Sequence, residues 1–348
     1  TRNPISSLLA LAAETGPILL YYAANKELIG FLVLPGSAEI LTGRIDITRD
    51  HLGEQVRGLA HDAANPVYAS RERTRARELW DLLIAPFAQR LPVGGPLVLV
   101  PHGPLHELPF EALLDPSGSP LFERWDVSVA PSVSTLALTR RRHGETRQQD
   151  SFLAFSSGRG LNLPEDEVAA IAGLFGANQA TFRPTEARFQ SYERLVTKAR
   201  YLLIATNGSY APGSRRNTYL EIEPTSDEHD SRLSAAEIAA LPLEAELVTL
   251  AACDTARGEA LLSDERLDLT RAFLIAGAAA VLATRWKVPE DPSTSHFLLD
   301  FYRAYRQGGP DNHGQRKDRA LTEARRRSLD RGDSTQLWGA WALVGDPR

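Results

Sequence analysis

Short apolar runs, separated by stretches with helical patterning, constrain this chain more than any other feature. Pro96-Leu-Val-Leu-Val-Pro101 is bounded by prolines and apolar throughout, the pattern of a strand covered on both faces. Further strands are expected at 127–132, 152–155, 201–206, 247–252 and 279–284. Between and after them, helices are expected at 134–142, 164–175, 188–198, 234–241, 269–276, 294–306 and 318–329. Ser234 and Glu237 have the spacing of a capping box. Strands alternating with helices build a largely parallel sheet, and such sheets carry function at the carboxyl ends of their strands. The amino-terminal part is patterned differently. Residues 17–23, 28–34 and 39–47 read as hairpin strands, and helices follow at 49–64 and 70–90, the second with Arg71, Arg73, Arg75 and Arg77 near its start. The expected class is α/β, a mostly parallel sheet flanked by helices with a β-rich amino-terminal subdomain. The charged stretch 140–150 is the expected boundary, dividing residues 1–145 from 146–348. Residues 209–232 read as a long polar loop, and 336–344 closes the fold.

At 348 residues the chain can bury a full core as two domains or one large α/β unit. A net charge of −5 gives no average field that recruits nucleic acid. One cysteine excludes an internal disulfide and a four-cysteine metal site, and fits a reducing cytoplasm. No apolar run reaches the roughly 18 residues that span a bilayer, so no membrane is expected. Lysine occurs only at 26, 198, 287 and 317, and the arginine bias points to a GC-rich bacterial genome. The chain opens on Thr1 and is expected to be part of something longer.

Two of the expected strands end alike. Tyr201-Leu-Leu-Ile-Ala-Thr runs into Asn207-Gly208, and Leu247-Val-Thr-Leu-Ala-Ala runs into Cys253-Asp254. A thiol at one such end and a base before glycine at its neighbour would make a cysteine protease. Here the thiol is present and Asn207 stands where the base belongs. Its amide donates and accepts hydrogen bonds but has no useful basicity. Taken singly, Cys253 reads as a buried, inert thiol and Asn207-Gly208 as a turn.

Six blocks in order carry a resemblance. Leu97-Val-Leu-Val-Pro-His-Gly-Pro-Leu-His-Glu-Leu-Pro-Phe-Glu-Ala-Leu113, Val129-Ala-Pro-Ser132 and Ala205-Thr-Asn-Gly208 come first. Leu250-Ala-Ala-Cys-Asp-Thr-Ala256, the stretch from Arg271 to Ala-Thr-Arg-Trp286, and Trp338-Gly-Ala-Trp-Ala-Leu-Val-Gly-Asp346 follow. Together they resemble the CHAT domain, a caspase-like family related to caspases and separase and often carried at the end of TPR-repeat proteins. The resemblance implies a caspase-like cysteine endopeptidase fold with a pseudo-protease-like amino-terminal part and no cofactor. It implies Cys253 as nucleophile, Asn207 at the position of the general-base histidine, and Gly208 as an oxyanion-hole N–H. Arg285 and Trp286 fall where the wider clan pairs an extended substrate segment as an extra strand. A carboxylate often reads a basic residue there, and Asp254, Glu290 and Asp291 are the candidates. The implied partners are a protein or peptide substrate and an attached or associated TPR or sensor module, in regulatory, defence or cell-death proteolysis. Two explanations fit Asn207: an inactivating substitution in an otherwise complete site, or a natural pseudoprotease that binds peptides or acts as a scaffold.

His102 and His106 follow the 97–100 strand and read as loop-orienting residues rather than a substitute base. His51, His61, His143, His296 and His313 have no metal-ligand spacing. Gly94-Gly95 and Gly308-Gly309 lack the lysine of a phosphate loop. Arg325-Arg326-Arg327 reads as a solvated helix face.

Overall fold

The computed structural model describes residues 4–37, 39–145, 151–156, 165–176, 179–182, 196–205, 208–209, 219–221, 232–251, 266–307 and 316–348. Its strands in the amino-terminal half are β1 (Ile18–Ala23), β2 (Leu28–Val33), β3 (Ile40–Ile45), β4 (Pro96–Val100) and β5 (Asp126–Val129). The second half holds β6 (Phe152–Ser156), β7 (Gln179–Phe182), β8 (Tyr201–Ala205), β9 (Gly208–Ser209), β10 (Tyr219–Glu221), β11 (Arg232–Ser234), β12 (Leu247–Leu250), β13 (Ala280–Thr284) and β14 (Trp341–Gly345). Eleven of these form one sheet in the order β3-β2-β1-β4-β5-β14-β13-β12-β8-β6-β7.

Strand direction divides the sheet in two. β1, β4, β5 and β14 are mutually parallel. So are β13, β12, β8, β6 and β7. The sets meet at β13 and β14, which are antiparallel with Ala280 opposite Gly345 and Thr284 opposite Trp341. Carboxyl ends of the two sets therefore lie on opposite edges of the sheet. The carboxyl-terminal β14 is the seam that makes one sheet of the two halves.

Side-chain alternation shows why both sets run as apolar strings. In β4, Leu97 and Leu99 pack with Leu52, Val56, Leu79 and Trp80 on one face. Val98 and Val100 meet Leu11, Ala12 and Leu136 on the other. In β8, Leu203 and Ala205 face the layer with Phe297, Phe301 and Leu321, while Leu202 and Ile204 face Ile238, Leu269 and Phe273. Each strand is covered twice, so each gains about 1.5–3 kcal/mol per large side chain on both faces. No helix among the described residues is long and apolar enough to cross a membrane.

The hairpin reading of the amino terminus holds: β1 pairs β2 and β2 pairs β3, both antiparallel. So does the capping box, in which Ser234 Oγ accepts from Glu237 N at 3.3 Å and Glu237 Oε2 accepts from Ser234 N at 2.8 Å. Other expectations need correction. The helix expected at 70–90 is two, Ala69–Leu83 and Ala85–Ala88, because Pro86 has no N–H to continue the ladder. Residues 209–232 are not all loop: β9, β10 and β11 form a three-stranded antiparallel sheet, its segments too short for periodicity to register. The helix Pro4–Thr15 and strand β7 were not read from the sequence at all. Most of the expected 188–198 helix lies outside the described residues.

Asp62 ties the two amino-terminal helices together. Arg71 Nη2 donates to its Oδ1 at 2.5 Å and Arg75 Nε to its Oδ2 at 3.1 Å, with the carboxylate side chain 2% exposed. Burial pushes this carboxyl up, but hydrogen bonds from Arg71 and His61 and the charges of Arg71 and Arg75 outweigh it and hold it below the usual range. The stability this contributes is present above the unfolded value of about 3.9 and is lost as pH falls through the folded one. Asp62→Asn is expected to flatten the acid limb of a stability-against-pH curve measured by urea unfolding. An unchanged acid limb contradicts the assignment.

Gly277 joins the helix Arg266–Ala276 to β13 with φ +135°, and a Cβ there would lie 1.9 Å from the Leu243 carbonyl oxygen. Gly277→Ala is expected to cost at least about 2 kcal/mol, from steric conflict with backbone plus a forced left-handed conformation. Thermal denaturation checks this, and a near-neutral result contradicts it.

Candidate active site

β8 and β12 are adjacent and parallel, in the register Leu247–Tyr201, Val248–Leu202, Thr249–Leu203 and Leu250–Ile204. One further rung, Ala251 N to Ile204 O at 2.9 Å, carries the pair to its carboxyl edge. Asn207 stands three residues beyond Ile204, and Cys253 three beyond Leu250. In sequence, the two positions follow neighbouring strands by equal steps. Asn207, Cys253 and Asp254 themselves lie outside the described residues. Gly208 begins β9 and is registered opposite Leu220 of β10, with Ser209 opposite Tyr219. In sequence, β9 of the small sheet begins three residues after β8 of the main sheet ends.

The strands beneath this edge are fixed from within. Every residue of β8 and β12 is buried. Thr249 Oγ1 and the Tyr302 hydroxyl share a buried 2.7 Å hydrogen bond, and burial pushes that hydroxyl well above its ordinary value.

β13 ends at the same edge, and Arg285 and Trp286 follow it directly. Arg285 N donates to Ala340 O at 2.7 Å, adding a rung beyond the Thr284–Trp341 pair. Its guanidinium turns inward, where Nη1 donates to Glu111 Oε1 at 2.7 Å. Trp286 is 7% exposed and donates Nε1 to Gln336 O at 2.9 Å. Both side chains are therefore engaged by the fold.

Glu111 is the residue that sequence reasoning missed. It is 1% exposed and accepts from Arg285 and, at 3.3 Å, from Arg325 Nη2. The signal was a lone carboxylate inside the apolar run Leu108-Pro-Phe-Glu-Ala-Leu-Leu114, since a buried charge needs a partner. Arg325 corrects the solvated-face reading of its cluster. It is 1% exposed, and donates to the carbonyls of Trp338 (3.4 Å) and Trp341 (2.6 Å). Burial pushes it down to about 10, with Glu111 opposing that shift and Arg285 adding to it. Arg327 pairs instead with Asp300 and Glu323.

The other candidates separate from the site. β4 runs opposite to β8 and β12, so His102 stands on the far edge. There its Nδ1 accepts from Ala23 N at 3.2 Å and its ring lies 4.8 Å from that of Tyr22. It secures the end of β1. Asp291 caps the helix Pro292–Arg306 by accepting from Ser293 N, and Glu290 pairs with Lys287 at 2.6 Å.

Known proteins are similar to this chain in sequence and in fold. The model for the CHAT domain matches residues 73–346. Tetratricopeptide repeat protein 28 of Homo sapiens is 26% identical over 333 residues, and that of Mus musculus 28% over 295. These matches cover 77% and 67% of this chain but only 13% and 12% of those relatives. Among solved structures, the Saccharomyces cerevisiae separase–securin complex aligns with a TM-score of 0.60 at 8% identity, over 98% of this chain and 31% of that one. The Arg-specific cysteine proteinase gingipain R aligns with a TM-score of 0.51 at 13% identity, over 86% and 74%. These likenesses establish a caspase-like, peptidase-like fold. With its model matched over residues 73–346, the chain belongs to the CHAT domain family.

Proposed function

We propose that this chain is the peptidase domain of a cysteine endopeptidase, with Cys253 as nucleophile and Asn207 at the position of the general base. The observation that carries this reading is the register of β8 with β12, from which both residues continue by three. In the proposed reaction the Cys253 thiolate attacks a peptide carbonyl, and the N–H of Gly208 helps hold the oxyanion. The acyl-enzyme is released by water once a base has moved the proton to the leaving amine. The backbone from Trp286 onward meets an extended substrate segment, the Arg285 N–H being held by Ala340 O, and Asp254, next to Cys253 in sequence, is the carboxylate for a basic side chain. Residues 146–348 form the catalytic subdomain, and 1–145 support it.

Asparagine cannot carry the proton, so the chain as it stands holds its peptide more readily than it cuts it. Asn207 favours a second reading on the same groove, in which an extended peptide adds to the sheet edge without being cleaved. The curated relatives are tetratricopeptide repeat proteins, and the separase neighbour is complexed with securin. We therefore propose protein partners and an attached repeat module, in regulatory or defence proteolysis in a bacterial cytoplasm.

The two readings separate in one experiment. In an Asn207→His background, peptide cleavage is expected and Cys253→Ala is expected to abolish it. If peptide binding is retained but the folded Asn207→His protein cleaves nothing in the presence of its activating partner, the endopeptidase reading fails and the binding module stands.

A further inference from the structure

Residues 285–291 form neither helix nor strand, yet the peptidase reading gives the backbone from Trp286 onward to substrate. Beyond the rung from Arg285 N to Ala340 O, side chains set the position of this segment. Val288 is 1% exposed and packs in the core. Trp286 donates Nε1 to Gln336 O at 2.9 Å. Arg285 donates Nη1 to Glu111 Oε1 at 2.7 Å.

The anchors of Arg285 and Trp286 lead back to the amino-terminal half. Gln336 lies on the helix Thr335–Trp338, and a helix of one turn is not stable unaided. At its start the Thr335 hydroxyl donates to Glu72, on the helix Ala69–Leu83. At its end the Trp338 carbonyl accepts from Arg325 Nε at 3.4 Å, and Arg325 Nη2 pairs with Glu111 at 3.3 Å. Two carboxylates therefore grip the segment by separate routes. Glu111 acts through Arg285 and, at one remove, through Arg325; Glu72 acts through Thr335. The two are 1% and 9% exposed, and hydrogen bonds to a charged acceptor are stronger than those to a neutral one.

We propose that Glu111 and Glu72 are positioning residues for the substrate: they fix the peptide-pairing segment from the amino-terminal half and so set the affinity of the groove. Their effect falls on binding rather than on the chemistry at Cys253. The inference rests on the peptidase reading and adds to it which residues hold the groove in shape.

The test uses the whole chain as it stands, with a tripeptidyl-arginine chloromethyl ketone as probe. Its alkylation of Cys253, in which the thiolate sulfur displaces chloride, is expected to saturate, giving a half-saturation constant and a limiting rate. Glu111→Gln keeps the shape and removes the charge, and Thr335→Val keeps the shape and removes the hydroxyl. The half-saturation constant is expected to rise roughly tenfold in the first and roughly threefold in the second, with the limiting rate unchanged, as when binding alone is lost. Thr335→Ser keeps the hydroxyl and is expected to match the unsubstituted chain. Alkylation by iodoacetamide, which needs no groove, is expected to be the same in all of these proteins. Unchanged half-saturation constants, equal losses in Thr335→Ser and Thr335→Val, or iodoacetamide rates that rise in parallel overturn the proposal. If the unsubstituted chain shows no saturation, the peptidase reading falls and this inference with it. If it saturates and the variants saturate alike, the inference alone falls. Should Glu111→Gln fail to fold, the two Thr335 substitutions decide.

Discussion

Asn207→His is expected to raise the rate of peptide cleavage by roughly 10²–10⁴-fold, the range contributed by a positioned general acid–base. The argument is chemical. An unassisted thiol has a pKa of about 8.5 and is only slightly ionised at neutral pH. Asparagine can hydrogen-bond to the thiol or to the substrate but cannot take the proton. A histidine three residues past Ile204 would act across to a thiol three residues past Leu250, on strands already in register. The fold is expected to tolerate the change, since histidine and asparagine are close in reach and polarity. Cleavage of a peptide library before and after the substitution measures the effect. A folded Asn207→His protein that cuts no faster, with activator present, contradicts the general-base assignment.

The second large effect is on stability. Glu111→Ala is expected to cost about 3–5 kcal/mol, the usual penalty when one partner of a buried ion pair is removed and the other charge stays behind. Here two guanidinium groups lose their carboxylate together, and one of them, Arg325, is 1% exposed. The loss is felt far from residue 111. Glu111 comes from the amino-terminal half, Arg285 follows β13, and Arg325 lies on the helix Lys317–Asp330, so the cluster links the two halves where β14 joins them. The double substitution Glu111→Leu with Arg325→Met is expected to recover a large part of the loss, because apolar pairs often replace buried ion pairs at little cost. Chemical denaturation of the unsubstituted protein, Glu111→Leu, Arg325→Met and the double substitution gives the coupling energy, and additivity of the two substitutions would contradict a direct link.

The parts legible in the sequence are those governed by one physical rule at a time. Apolar strings such as 96–100 and 201–205 had to be covered on both faces, and they are. Ser234 and Glu237 had the spacing of a capping box, and they form one. Short or long-range features were not legible. β7, β9, β10 and β11 have two to four residues each, too few for a period to emerge. Nothing near Trp341 shows that the last strand enters the middle of the sheet and reverses its direction. Arg325 was misread because its cluster is charged in sequence, whereas its carboxylate partner is more than 200 residues away. At the candidate site the two strands were legible and are adjacent and parallel, whereas Asn207 and Cys253, which follow them in sequence, lie outside the described residues.

The most direct test of that pairing uses Cys253 itself, the single cysteine of the chain. Its alkylation by a small reagent such as iodoacetamide is followed against pH with asparagine and with histidine at 207. If the two residues face each other, a protonated histidine favours the thiolate. The Asn207→His protein should then alkylate faster at neutral pH, with its inflection shifted below about 8.5. Superimposable profiles from two folded proteins would contradict the pairing of residues 207 and 253.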